Sequence, residues 1–218
     1  MPLRRGRSGG GMKLNLGCGG RLLPTAEGWV NVDKAQFAGV DEVADVFAIP
    51  WPWPNDSVEE MYAGHLLEHI PHALTVRALD DDPPMAGWVA RLRGLDGFYQ
   101  FFAEVWRVLA PGGTIYCRVP WGLSMRAWQD PTHVRVIVPV TISYLTEGLP
   151  GNASPDYALP FRFEAVGAPE FQLADLALAM AKRGRPQPVI LQTLFRQWGQ
   201  AEEMGFRLRA VKERAGGD

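Results

Sequence analysis

Residues Leu14-Asn15-Leu16-Gly17-Cys18-Gly19-Gly20 form a short apolar run that ends in glycines. A second apolar run closes on Asn31-Val32-Asp33. A strand running into a glycine turn, with an acid at the end of the following strand, leaves few choices of fold. Glycine has no Cβ, so the backbone can turn sharply and a ligand can approach it closely. An acid at the adjacent strand end is placed to accept hydrogen bonds from both hydroxyls of a ribose. Together the two features suit an open α/β sheet that carries a nucleoside cofactor.

The rest of the chain extends this pattern. Met12–Leu16, Trp29–Val32, Val43–Val46, Val58–Ala63 and Thr114–Val119 read as strands. Trp51-Pro52-Trp53-Pro54 is rigid and excludes helix, because each proline fixes its own φ and restricts the residue before it. A helix is expected from Leu66, bent or stopped by Pro71. Phe98, Phe101, Phe102, Val105, Val108 and Leu109 recur at helical spacing and predict a helix over 98–109. Pro111-Gly112-Gly113 ends it. Helices are also expected at 173–181 and 189–198, and 134–145 reads as strand or helix. Segments 161–166 and 206–212 alternate as a closing strand pair. Strands alternating with helices imply a mostly parallel sheet covered on both faces. The expected fold is therefore α/β: a doubly wound, mostly parallel, seven-stranded sheet with an antiparallel C-terminal strand pair.

The chain has 218 residues, 47% hydrophobic and 21% charged, which fits one domain with a full core. That domain is expected over 12–218, after a disordered basic and Gly-rich arm at 1–11. Asp80-Asp81-Asp82-Pro83-Pro84 interrupts any pattern, so 71–97 reads as an insertion or lid. Residues 120–160 are read as the acceptor side. A net charge of −2 gives no overall basic field for nucleic acid. Two cysteines, Cys18 and Cys117, both in apolar runs, point to a reducing, cytoplasmic setting. No apolar run is long enough to span a membrane, and the basic start lacks the apolar stretch of a secretory signal.

In order and spacing, Leu14–Gly20, Asn31–Asp33, Asp45 through Asp56, Ala63–Ile70 and Val105–Pro120 resemble the class I S-adenosylmethionine-dependent methyltransferases. The "N-L-G-C-G" form resembles one subgroup of them. The resemblance implies a Rossmann-like methyltransferase fold, S-adenosyl-L-methionine as cofactor, and roles for particular residues. Gly17, Cys18 and Gly19 would lie under the methionine part and ribose. Asp33 would take the ribose hydroxyls, and Asp45 with the amide of Val46 would meet adenine. Gly64 and His65 would follow the fourth strand beside the sulfonium. Asn15 stands where the family often has an acid that holds the cofactor's amino group. Arg21 stands at the third glycine of the usual pattern. A nicotinamide dehydrogenase would need a further glycine at Leu22.

Methyl transfer needs mostly proximity and orientation, with a base where the acceptor is a hydroxyl. His133, in the loop after the fifth strand, is the candidate base, with Asp130 orienting it. Trp121 and Trp128 flank that loop as candidates to stack on an acceptor. His65, His69, His133 and Glu68 could chelate an ion, since histidines four apart share a helix face. No cluster has zinc-finger spacing, and no metal is expected. Asp82-Pro83-Pro84-Met85 is a decoy for a base-flipping motif: it lacks the aromatic and lies away from the fourth strand. The acceptor partner is expected to be a small molecule or glycan precursor, with nucleic acid kept open and no membrane partner. The alternatives are a nucleic-acid-modifying methyltransferase, or a non-catalytic binding or scaffold relative for which Asn15 and Arg21 speak.

Overall fold

The computed structural model describes residues 11–78, 82–146 and 159–212. The basic arm, apart from Gly11, and much of the expected acceptor region beyond residue 146 lie outside the described residues. Five parallel strands build the sheet: β1 (Met12–Leu16), β2 (Trp29–Asp33), β3 (Glu42–Val43), β5 (Val58–Gly64) and β7 (Leu109–Pro120). Antiparallel β10 (Ala201–Ala210) pairs with β7, with Phe206 opposite Cys117. Short β8 (Phe163–Ala165) and β9 (Glu170–Leu173) both pair with β10. The order is β3-β2-β1-β5-β7-β10-β8. The seven expected positions are present, but two short strands share the last, so the sheet counts eight. A separate pair joins β4 (Ala48–Ile49) to β6 (Thr75–Val76).

In the central strands one face is apolar and buried. The alternating residues on the other face, Lys13, Glu60, Tyr62, Thr114, Tyr116 and Arg118, are polar or aromatic and only half-buried, so the expected equal cover on both faces is not met. Leu14, Leu16, Val32, Met61, Ala63, Ile115, Cys117 and Val119 are all fully buried. Helix α2 (Gly97–Val108) packs beside them, and its N-cap Asp96 accepts from the Phe98 amide at 2.8 Å. The stripe Phe101, Phe102, Val105 and Val108 is fully buried, as its spacing predicts. The opposite face is covered as well. Glu104 and Arg107 are buried there, pair at 2.7 Å, and hold Trp51 through its amide and its carbonyl.

Within 71–97 the structure places β6 and helix α1 (Pro83–Leu92), started by the Asp82 side chain accepting from Met85 N at 3.0 Å. Val89 and Leu92 are buried, and Trp88 stacks on Trp106 while donating to Glu104 at 2.7 Å. The described part of this stretch is thus fastened to α2.

Three local expectations change. The segment from Leu66 is a single 3-10 turn, Leu67–His69, rather than a helix. The third strand is confined to two residues and ends before Ala44. Residues 134–138 form neither strand nor helix and are followed by the short helix α3 (Pro139–Ser143). The two C-terminal helices fall close to expectation, as α4 (Asp175–Lys182) and α5 (Gln187–Arg196).

Candidate functional site

The parallel strands end at one edge of the sheet, and the residues singled out in the sequence gather there. Gly17 and Gly19 take left-handed φ of 59° and 48° in the turn after β1. A Cβ on Gly17 would stand 2.7 Å from Leu66 Cδ1, which brings this turn against the turn after β5. A Cβ on Gly19 would meet nothing within 4 Å, so that face of the turn opens to space. Cys18 lies between them, its amide donating to Val32 O at 2.9 Å and its side chain buried. Burial, then the Asp33 carboxylate, pushes the Cys18 thiol up, so it stays protonated at neutral pH.

Asp33 ends β2 and is fixed by two backbone amides. Gly19 N donates to its Oδ2 and Ala35 N to its Oδ1, each at 3.0 Å. Its carbonyl accepts from Ala44 N at 2.9 Å, which ties the end of β2 to the loop after β3. In that loop Asp45 is exposed, and its Oδ1 accepts from Phe47 N at 2.8 Å. Val46 is buried, with its carbonyl taking the Trp51 indole N–H at 3.0 Å.

Asn15 has a structural task. It is buried, and its amide nitrogen donates to Asn31 Oδ1 at 2.8 Å and Arg21 O at 2.9 Å. Asn31 continues this network to Leu23 and Asp41. A carboxylate at Asn15 could not donate either bond, which accounts for the amide. Arg21 is accounted for too: among the described non-glycine residues only Asp56 and His65 take positive φ, so nothing at Arg21 requires glycine.

On the other side, Gly64 ends β5 and His65 turns the chain in a left-handed conformation at φ 55°. The turn is held by His65 N donating to Arg118 O at 2.8 Å. Its ring lies between two buried carboxylates, with Nδ1 3.3 Å from Glu68 Oε1 and Nε2 3.1 Å from Glu203 Oε1. Glu203 is also paired with Arg118, and Arg126 approaches it at 3.5 Å. Sequence reasoning missed Glu203, because only the antiparallel pairing of β10 with β7 sets it opposite Pro120 at the site edge.

His133 reaches the same region because Val134 N and Arg135 N both donate to Glu68 O, at 2.9 and 3.2 Å. Its Nδ1 faces Ala127 O at 3.1 Å. Asp130 Oδ2 stands 3.8 Å from His133 Nε2, beyond hydrogen-bond reach. The orienting group is therefore the Ala127 carbonyl rather than Asp130, whose Oδ1 is taken up by the Thr132 hydroxyl and amide. Those Thr132 bonds hold the exposed Asp130 carboxyl below the usual carboxylate range. His65 and His69 do not share a helix face: the 3-10 turn sends His69 to Thr132 and His133. Trp121 is buried against Phe171 and Phe195 and cannot stack on an acceptor, whereas Trp128 is exposed. A cavity of about 1850 Å³ lined by Trp53, Trp88 and Trp106 includes none of these site residues.

No protein-family model matches the chain. No curated protein sequence matches it. Solved structures do. A SAM-dependent methyltransferase from Archaeoglobus fulgidus aligns over 91% of this chain and 86% of its own, with 16% identity and a TM-score of 0.54. Weaker likenesses include an S-adenosylmethionine-dependent methyltransferase from Mesorhizobium loti, at 16% identity, 92% and 91% coverage and TM-score 0.46. Another is the complex of the Haloferax volcanii Trm112 methyltransferase activator with a methyltransferase, at 15% identity, 93% and 84% coverage and TM-score 0.47. The chain has the Rossmann-like fold of the class I S-adenosylmethionine-dependent methyltransferases.

Proposed function

We propose that the chain binds S-adenosyl-L-methionine over the glycine turn and transfers its methyl group to a small polar acceptor. The observation that carries this reading is the coupling of Gly19 to Asp33 beneath an open face of the turn. The two amides fix the Asp33 carboxylate but leave lone pairs on both oxygens. Those lone pairs suit the two hydroxyls of a ribose. Gly17, Cys18 and Gly19 would lie under the methionine part and ribose. Asp45 and the Val46 amide would meet the adenine edge, and Gly64 and His65 would flank the sulfonium end. Asn15, whose amide nitrogen braces the turn, keeps a side-chain oxygen without a hydrogen-bond partner, the acceptor it would offer to the cofactor's amino group. The fit is supported by the space above Gly19, which a side chain would fill.

Bound there, the cofactor supplies a methyl group already activated by its positive sulfur. The work left to the protein is orientation and exclusion of water. The acceptor side would be built from the turn after β5 and the 120–146 segment, where His133 has an Nε2 lone pair to offer. A net charge of −2 favours a small molecule or glycan precursor over a polyanion such as nucleic acid. Two free buried cysteines support a reducing, cytoplasmic setting. No helix among the described residues is long and apolar enough to cross a membrane.

Calorimetric titration with S-adenosylmethionine and, separately, NAD tests the reading. Saturable binding of the first alone is expected. Binding of NAD, or of neither, would overturn it.

A further inference from the structure

Glu68 poses a problem that the cofactor reading does not solve. Its side chain is 2% exposed, and neither carboxylate oxygen has a hydrogen-bond partner. The ring nitrogen His65 Nδ1 stands 3.3 Å away without hydrogen-bond geometry, and that ring also meets Glu203 through Nε2. A buried carboxylate without donors is costly unless a cation neutralises it. Two histidines stand beside it. One ligating atom from each of Glu68, His69 and His133 lies within 4.8 Å of the other two. The rings of His69 and His133 meet edge to face at 4.7 Å.

The hydrogen bonds assign both tautomers. His133 Nδ1 faces the Ala127 carbonyl, which can only accept, so Nδ1 carries the proton. His69 Nδ1 faces Thr132 O at 3.3 Å and Thr132 Oγ1 at 3.1 Å. The single Thr132 hydroxyl proton goes to Asp130 Oδ1 at 2.7 Å, so toward His69 that oxygen accepts as well. Both rings therefore hold their proton on Nδ1 and keep a bare Nε2. A ring N–H donated to a backbone carbonyl, with the opposite nitrogen free, is the arrangement that orients histidine ligands on metals. The segments are also locked together, since the Glu68 carbonyl accepts from Val134 and Arg135.

We infer that Glu68, His69 and His133 form a site for a divalent transition ion such as Zn²⁺, Mn²⁺ or Co²⁺. Two imidazoles and one carboxylate select such ions over Mg²⁺, which prefers oxygen ligands. Three protein ligands leave coordination positions for water or another oxygen ligand. An acceptor hydroxyl is the natural occupant, a use that rests on the methyl-transfer reading. The site makes His133 a ligand in place of a base, and it gives Asp130 and Thr132 the task of holding His69.

The experiment titrates the chelator-stripped full chain with Co²⁺, following its visible absorption, and measures S-adenosylmethionine binding on the same samples. Saturable Co²⁺ binding at one equivalent is expected, with Mg²⁺ failing to compete. Loss of a partner outside the ligand shell weakens metal sites by about 10–100-fold; His133→Ala and Glu68→Gln should each lose at least that much. His72→Ala removes an exposed histidine outside the cluster and should leave Co²⁺ binding unchanged. Glu68→Gln preserves shape, so its circular dichroism separates a lost ligand from a lost fold. S-adenosylmethionine binding should persist in a variant that has lost Co²⁺, which keeps this result separate from the cofactor reading. No saturable Co²⁺ binding, or binding that His133→Ala and Glu68→Gln leave intact, overturns the site.

Discussion

Gly19 and Gly20 are adjacent, yet the structure asks different things of them. Gly19 has φ 48°, while Gly20 has no left-handed conformation, and an added Cβ meets nothing at either position. Space is therefore not the difference; backbone conformation is. Gly19→Ala should cost about 1–2 kcal/mol of stability, the cost of forcing a Cβ into left-handed geometry. Gly20→Ala should stay within about 0.5 kcal/mol of the parent, as surface changes usually do. Urea unfolding of the two variants checks the contrast, and equal losses would contradict it. The glycine turn and Asp33 were legible in the sequence because both are local features of strand ends. The role of Asn15 was not, since its partners Asn31 and Arg21 are named only once β1 and β2 pair. Trp121 was misread for a related reason: its burial depends on Phe171 and Phe195, far along the chain.

At the scale of elements, α2 joins the site-bearing sheet to the tryptophan loop. Arg107 donates to Glu104, Trp51 O, Trp53 O and Asn55 Oδ1, all from a buried position. Arg107→Leu would strand Glu104 as a buried, uncompensated charge, and breaking such a pair costs about 3–5 kcal/mol. Chemical denaturation should show that loss. The N-terminus of the same helix gives a pH signature. Burial alone would raise the Asp96 carboxyl, but bonds from His72, the Phe98 amide and Arg135 outweigh it, and the carboxyl falls below its usual value. A carboxylate lowered in the folded state stabilises the fold above its unfolded pKa and loses that contribution as pH falls through the folded one. Stability should therefore decline below about pH 4, where unfolded aspartate begins to protonate. Asp96→Asn should remove this share of the decline. The side chain is 34% exposed, so solvent screening holds the share to about 0.5–1 kcal/mol. Urea midpoints at pH 3 to 6 would show it, and parallel curves for the two proteins would contradict it. The apolar stripe of α2 was legible from its period. Its buried polar face was not, because its partners lie in the 51–57 loop and at Trp88 of α1, and only the folded chain brings them to α2.

Over the whole molecule, the sheet order sets what can meet. Turns after β1, β2, β3 and β5 converge because those strands are parallel neighbours, and a ligand crevice lies outside such strand ends. Strand–helix alternation made this architecture legible. The division of the last sheet position between β8 and β9 was not, because strands of three and four residues carry too little alternation to be seen. The assembly of His65, Glu68, His133 and Glu203 was only partly legible: the histidines and Glu68 stood out by residue type and spacing, whereas Glu203 enters only through antiparallel register. The central claim is that Asp33, set by Gly19, holds the ribose of S-adenosylmethionine. Calorimetry of Asp33→Ala against the parent tests it most directly. Loss of charge-assisted hydrogen bonds should weaken S-adenosylmethionine binding by about 1.5–3 kcal/mol, with the fold intact by circular dichroism. Unchanged affinity in a folded variant would contradict the claim.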